Sequence, residues 1–152
     1  MSGLSTEIVE HQLPMRPECQ SVQQKLNRVK SKMLLKIREE VRKHFDAGFL
    51  EVAKYPEWVA NIVSVLKKDG KVIMCIDYRD LNRASLKNNF PLPHINNLVD
   101  NTVKNSMFSF MDGFFGYNQI RMALEDHEKT TFVTMWGTFY YKVMPFDLKM
   151  LG

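Results

Sequence analysis

The sequence predicts an α+β fold, and three observations carry that prediction. Leu34, Ile37, Val41, Phe45 and Phe49 recur at helical spacing, two β-type runs flank Asp69-Gly70, and further short strand-like runs follow Met107. With 152 residues, 45% hydrophobic and 25% charged, the chain has enough length for one real core and the composition of an ordinary globular domain.

Residues 1–24 hold Pro14 and Pro17, several Gln and Ser, and no apolar period. They read as a linker, a poorly ordered lead-in, or a segment that lies on something else. A helix is expected over about residues 32–47, with Ser31 as its N-cap and Gly48 closing its C-terminus. Its other face carries Lys32, Lys36, Arg38, Arg42 and Lys43, joined upstream by Lys25, Arg28 and Lys30, against only Glu39, Glu40 and Asp46. A solvated face is the default for such a run, and contact with a phosphate backbone is the alternative.

The runs 61–66 and 71–78 are joined through Lys67-Lys68-Asp69-Gly70, where Asp-Gly supplies the positive φ of a tight turn. This makes a β-hairpin whose tip points Lys67, Lys68 and Lys71 into solvent. Asp77 to Asn82 is expected as a short polar turn or one-turn helix, and Phe90-Pro91-Leu92-Pro93 as extended chain, because each Pro restricts its predecessor. Pro93 suits the first turn of a helix with Ile95, Leu98 and Val99 on one face. Met107 to Asp112 reads as a buried strand ending in a carboxylate, followed by the turn Gly113-Phe114-Phe115-Gly116-Tyr117. Ile120–Leu124 and Thr130–Met135 are expected strands separated by an acidic, exposed Glu125–Glu128. Trp136-Gly137-Thr138 turns into a last strand, Phe139–Met144, and Pro145 begins a helix.

Several function classes are excluded. Two cysteines, Cys19 and Cys75, cannot build a disulfide scaffold or a four-ligand zinc site, so free thiols and a reducing compartment are expected, with Cys75 in a core. The longest apolar stretch, Val59–Leu66, is broken by Asn61 and Ser64 and falls far short of the ~20 residues of a membrane span. The polar start Ser2-Gly3-Leu4-Ser5-Thr6-Glu7 is no signal peptide. Phosphate-loop, nucleophile-elbow, His-Glu-x-x-His and sequon patterns are absent, and His11, His44, His94 and His127 stand singly as surface or packing residues. The net charge of +4 tilts slightly toward a polyanionic partner.

What remains is a set in fixed order: a basic hairpin, Asp77-Tyr78-Arg79-Asp80-Leu81-Asn82, a Pro-Leu-Pro, the strand-terminal Asp112 with an aromatic following at Tyr117, and a Trp-Gly-Thr turn leading to Val143-Met144-Pro145-Phe146. In this order, from about Trp58 to Lys149, the chain resembles the reverse transcriptase of gypsy-type long-terminal-repeat retrotransposons, plant elements in particular, with residues 20–57 like that family's lead-in. The resemblance implies a right-hand polymerase fold: lead-in 1–24, fingers 25–84, a first palm segment 85–119 with the catalytic-Asp motif, returning fingers strands 120–144, and the truncated start of a palm helix 145–152. It implies RNA or DNA template–primer and deoxynucleotides as partners, Mg²⁺ as cofactor, membership of a Pol polyprotein, and an intracellular place, cytoplasmic in a virus-like particle or nuclear.

The resemblance also assigns roles. Asp112 matches the first catalytic carboxylate and metal ligand, a role for a hard oxygen held at a strand end. Gly113 offers a metal-facing carbonyl, and the amides of Phe115 and Gly116 face the incoming phosphates. Tyr117 matches the aromatic gate that collides with a ribose 2′-hydroxyl, and Lys67 the fingers lysine that meets the triphosphate. Tyr78, Arg79 and Asn82, with Phe146 and Lys149, match residues that contact template or primer or support the site. On residues alone, Asp112 would be a strand-capping Asp, Tyr117 a core aromatic and Asp77 structural.

The chain departs from the family pattern as well. The other two catalytic carboxylates lie in a Tyr-x-Asp-Asp hairpin, and no Asp-Asp pair occurs in these 152 residues. Ile73 stands where the family has an arginine, Asp147 replaces the glycine of Pro-Phe-Gly-Leu, Phe115 a Ser, Leu86 a Pro, and Met150-Leu151 an Asn-Ala. Two readings compete: a reverse transcriptase fragment inactive as this chain, and a non-catalytic nucleic-acid-binding remnant acting through the Lys-rich helix and hairpin. A small RNA-recognition module fails because no Lys/Arg-Gly-Phe-Gly-Phe strand is present.

Overall fold

The structure, a computed structural model, describes residues 5, 7, 9–86, 94–108 and 117–148. The elements in chain order are β1 (Glu10–His11), α1 (Ser31–Asp46), β2 (Leu50–Val52), β3 (Ala60–Leu66), β4 (Val72–Ile76), α2 (Arg79–Ala84), α3 (Ile95–Val103), a 3-10 turn (Tyr117–Gln119), β5 (Arg121–Met122), a 3-10 helix (Leu124–Thr130), β6 (Phe132–Thr134) and β7 (Gly137–Tyr141). Five strands form one sheet in the order β2-β7-β6-β3-β4, with β3 and β6 parallel and every other neighbour antiparallel. The α+β prediction therefore holds.

The sheet places its largest side chains toward α1. Phe132, fully buried in β6, packs against Tyr141 at 5.6 Å and Phe139 at 6.1 Å between ring centroids. Ile37 and Val41 of α1 are buried over the same core, each worth about 1.5–3 kcal/mol when removed from water. Phe45, expected on that stripe, stays 45% exposed with its ring edge on Phe139, because the stripe drifts off the sheet toward the helix end. Ser31 is the first helical residue rather than its N-cap; Lys30 takes the cap position with no side-chain hydrogen bond. At the other end the prediction holds: Gly48, at φ +77°, donates to the Phe45 carbonyl and Phe49 to the His44 carbonyl, and this crossed pair closes the helix.

The β3–β4 hairpin matches the sequence reading. Lys67 donates to the Lys71 carbonyl at 2.8 Å, and Gly70, at φ +78°, donates to the Lys67 carbonyl at 3.0 Å. The three residues between turn the chain with glycine in the left-handed position. β4 ends at Ile76, so Asp77 and Tyr78 lie beyond the strand, and Cys75 is half-buried rather than in the core.

Other expectations are corrected. The lead-in takes the course of a segment lying on something else: β1 pairs in parallel with β5, Met15 bridges to Ser85, Gln23 bridges to Val59, and Leu13 enters the core. The Ile120–Leu124 strand shrinks to Arg121–Met122, with Leu124 starting the 3-10 helix. Glu125–Glu128 is not all exposed, since Asp126 is buried and accepts the Leu13 amide at 2.7 Å while pairing with Lys129. The last strand starts at Gly137 and ends at Tyr141; Val143 and Met144 are buried in irregular chain, where Met144 donates to the Ile120 carbonyl. After Pro145 the described residues form a turn, with Leu148 donating to the Pro145 carbonyl at 3.2 Å. The helix after Pro93 exists, but none of its residues is buried. Met107 and Phe108 are exposed and outside any strand; residues 109–112 and the Phe90–Pro93 segment lie outside the described residues. No helix among the described residues is long and apolar enough to cross a membrane.

Two predictions follow from the packing. Removing the Tyr78 hydroxyl, which donates to the buried Thr130 carbonyl at 2.7 Å, should cost about 1–3 kcal/mol in Tyr78→Phe, read by urea denaturation. Burial lowers the pKa of both His11 and His44, against the opposing pull of Asp126 on the first and of Glu40 on the second, where Lys43 adds to the lowering. Both side chains stay neutral in the fold at pH values where the unfolded chain already protonates them. Their contribution is therefore complete above pH 6.5, the ordinary histidine value, and is lost as pH falls below it. The urea midpoint should drop between pH 7 and pH 5, and His44→Gln should flatten that drop.

Candidate nucleotide and nucleic-acid interface

The positions singled out by the family resemblance fall on three elements. The first is the hairpin tip, where Lys67, Lys68 and Lys71 are exposed at the ends of β3 and β4. Lys36 of α1 reaches this tip and donates from Nζ to the Gly70 carbonyl at 2.6 Å. The helix and the hairpin thus bring their cations together, with Asp69 of the turn 3.8 Å from Lys71 Nζ. Ile73 lies on the hairpin's outer face opposite Val65, both partly exposed.

The second element is α2. Tyr78, expected as a template contact, is 2% exposed and part of the core, so as placed its side chain is closed to a template strand. Arg79 beside it is exposed, and its guanidinium holds Asp77 through two bonds of 2.7 Å. That pair keeps the Asp77 carboxyl below the usual aspartate range, despite the opposing effect of partial burial. Asn82 is half-buried and donates from Nδ2 to the Asp147 carbonyl at 3.3 Å. Arg79, Arg83, Asp77 and Asp80 line a polar groove together with Gln24, Lys25, Asn27 and Asn61.

The third element is an aromatic step. Tyr117, on the first 3-10 turn, meets Phe146 edge-to-face, with ring centroids 5.5 Å apart and planes at 72°. Phe146 is 71% exposed, so one of its faces is available to a planar ligand. Asp112, Gly113, Phe115, Gly116 and Lys149 lie outside the described residues. Among the described residues no group of three or more His, Cys, Asp or Glu side chains could hold a metal ion.

Sequence reasoning passed over Asn61, noted only as a break in an apolar run. It is buried and orders residues 24–27: its Nδ2 donates to the Lys25 carbonyl at 2.6 Å and to Gln24 Oε1 at 3.3 Å, and its Oδ1 accepts the Asn27 amide at 3.0 Å. The Asn61 main-chain amide donates to Gln24 Oε1 at 3.0 Å, and Gln24 Nε2 donates to Asp80 at 3.0 Å. An Asn inside an otherwise apolar strand was the available signal, since such a residue must find partners when buried. Trp136 was also unassigned; it is partly exposed beneath the Arg38 guanidinium at 6.0 Å.

No protein-family model matches the chain. It is similar to an RNA-directed DNA polymerase homolog of Oenothera berteroana, 44% identical over 75 residues, which are 49% of this chain and 53% of that protein. It is also similar to the retrovirus-related Pol polyprotein from transposon 297 of Drosophila melanogaster, 27% identical over 119 residues, 76% of this chain and 11% of the polyprotein. Among solved structures, prototype foamy virus protease-reverse transcriptase superposes with a TM-score of 0.77 at 17% identity, covering 92% of this chain and 19% of that one. A foamy viral protease-reverse transcriptase solved in complex with an RNA/DNA hybrid gives 0.72 at 14% identity, with the same coverage. The fold is therefore the α+β polymerase fold of a reverse transcriptase, and the chain resembles the reverse transcriptase segments of retrotransposon polyproteins. It spans about half the length of the Oenothera relative and about a tenth of the polyprotein.

Asn61→Ala removes the three side-chain bonds to Gln24, Lys25 and Asn27 at a buried position, which should cost about 2–3 kcal/mol in urea denaturation and raise the amide exchange of Asn27.

Proposed function

We propose that the chain is the fingers and first palm segment of a reverse transcriptase from a gypsy-type, plant-like long-terminal-repeat retrotransposon. Its partners are an RNA or DNA template–primer and deoxynucleotides, and the division into fingers (25–84), first palm segment (85–119) and returning strands (120–144) belongs to this reading. The observation that carries it is the Tyr117–Phe146 contact at 5.5 Å, on a fold that superposes on reverse transcriptases. It joins the residue expected to gate the sugar to one expected to touch template.

The remaining roles are those of binding and orientation. Lys67, exposed at the hairpin tip, is suited to a triphosphate, and Arg79 and Asn82 on α2 are suited to a template strand. Gly113, Phe115, Gly116 and Lys149 complete the nucleotide and strand contacts in this reading. The resemblance implies Mg²⁺ at Asp112. The described residues hold no cluster that fits a cation, and these 152 residues supply no Asp-Asp pair to share the load. The chain alone should therefore not extend a primer with Mg²⁺ and deoxynucleotides; incorporation that vanishes in Asp112→Asn would overturn this.

One observation favours the non-catalytic nucleic-acid-binding reading for the chain in isolation. The Lys36 bond to Gly70 sets a cation of α1 beside Lys67, Lys68 and Lys71 at the hairpin tip. Oligonucleotide affinity should fall linearly in log K against log salt. Replacing the three hairpin lysines by Ala should shallow that slope by roughly 0.7 for each single-strand phosphate no longer neutralised. A flat slope for the unaltered chain would remove this reading.

A further inference from the structure

The main-chain amides of β4 alternate in direction. Asp77 sends its N–H to the Asn61 carbonyl on the β3 side, so the amide of Ile76 points the other way, off the edge of the sheet. Among the described residues no strand lies there to accept it. Asp147, from the turn after Pro145, fills the vacancy with Oδ2 at 2.7 Å from the Ile76 nitrogen. Its main-chain carbonyl accepts from Asn82 Nδ2 of α2 at 3.3 Å. The Cys75 thiol lies against the same carboxylate, and burial and Asp147 together push its pKa up.

The turn is fixed on both sides of Asp147, with Leu148 and Pro145 buried, while Phe146 alone projects outward to Tyr117. We propose that Asp147 is a positioning residue: by tying the turn to β4 through its side chain and to α2 through its backbone, it sets the place of Phe146 against Tyr117. The carboxylate that stands in place of the family's glycine accepts from a main-chain donor of β4. The functional meaning of the tie rests on the nucleic-acid reading of Phe146; the tie itself is a property of the protein alone.

Nuclear magnetic resonance on the full 152-residue chain tests it directly. In Asp147→Gly, exchange protection of the Ile76 amide and the Tyr117–Phe146 ring contacts should be lost together, while the amides of β6 and β7 remain protected. Asp147→Asn keeps an acceptor oxygen and should restore both signals. Ring contacts that persist in Asp147→Gly, or that vanish equally in Asp147→Asn, would overturn the proposal. If Asp147→Gly does not fold, Asn82→Ala removes the carbonyl tie and leaves the Asp147 carboxylate in place: displaced Tyr117 and Phe146 ring resonances support the proposal, and unchanged ones refute it. Titration with a single-stranded oligonucleotide separates the two claims. If Phe146→Ala weakens binding and Asp147→Gly does not, the positioning role fails; if Phe146→Ala has no effect, it is the nucleic-acid reading of Phe146 that fails.

Discussion

Thr130 and Thr131 sit at the exit of a 3-10 helix with no exposure to water, so each of their polar groups must be met from within the protein. The partners come from all over the fold. Tyr78 reaches in from the start of α2 to the Thr130 carbonyl, Tyr141 of β7 donates its amide to the Thr130 hydroxyl, and Ala60 of β3 donates to the Thr131 carbonyl. The two hydroxyls bond back to His127 and Glu128 in the turn before them. One buried corner thus decides where β3, β7 and α2 lie relative to one another, because an unmet group there would cost several times what an ordinary surface contact returns.

The candidate interface inherits its geometry from this corner. Tyr78 is anchored in the core, so α2 begins from a fixed point and presents Arg79 outward, with Asn82 half-buried on the same short helix. Asn82 then meets the turn of Asp147, and the turn meets Tyr117 through Phe146. In the same groove, Asn61 performs the equivalent service for residues 24–27. Lys67, Arg79 and Phe146 are exposed, while Tyr78 and Asn61 are buried.

How much of this was legible depended on whether the signal was local. The period of α1 and the strand runs around Asp69-Gly70 encode their own elements, and both appear within a residue or two of expectation. The burial of Tyr78 was hidden because it lies in a polar run, and only a carbonyl from Thr130 reveals why a tyrosine is needed. Asp126 looked solvated among acidic neighbours; its decisive partner, the Leu13 amide, comes from the far end of the chain. The lead-in shows no period because it is held by a two-residue strand and isolated bridges, too short to leave a pattern. Of the interface, family resemblance gave the membership of Lys67, Arg79, Asn82, Tyr117 and Phe146, but the contact between the two rings required the fold.

The nine residues of α3 illustrate a different dependence. Ile95, Leu98, Val99 and Val103 make an apolar face, yet every one of them is at least half exposed. A helix this short lies below the ~12–15 residues at which isolated helices become even marginally stable in water. Its helix–coil balance is therefore set by its own backbone rather than by the buried corner at Thr130. Heating should unwind it gradually, adding a sloping baseline to the helical signal before the sheet melts.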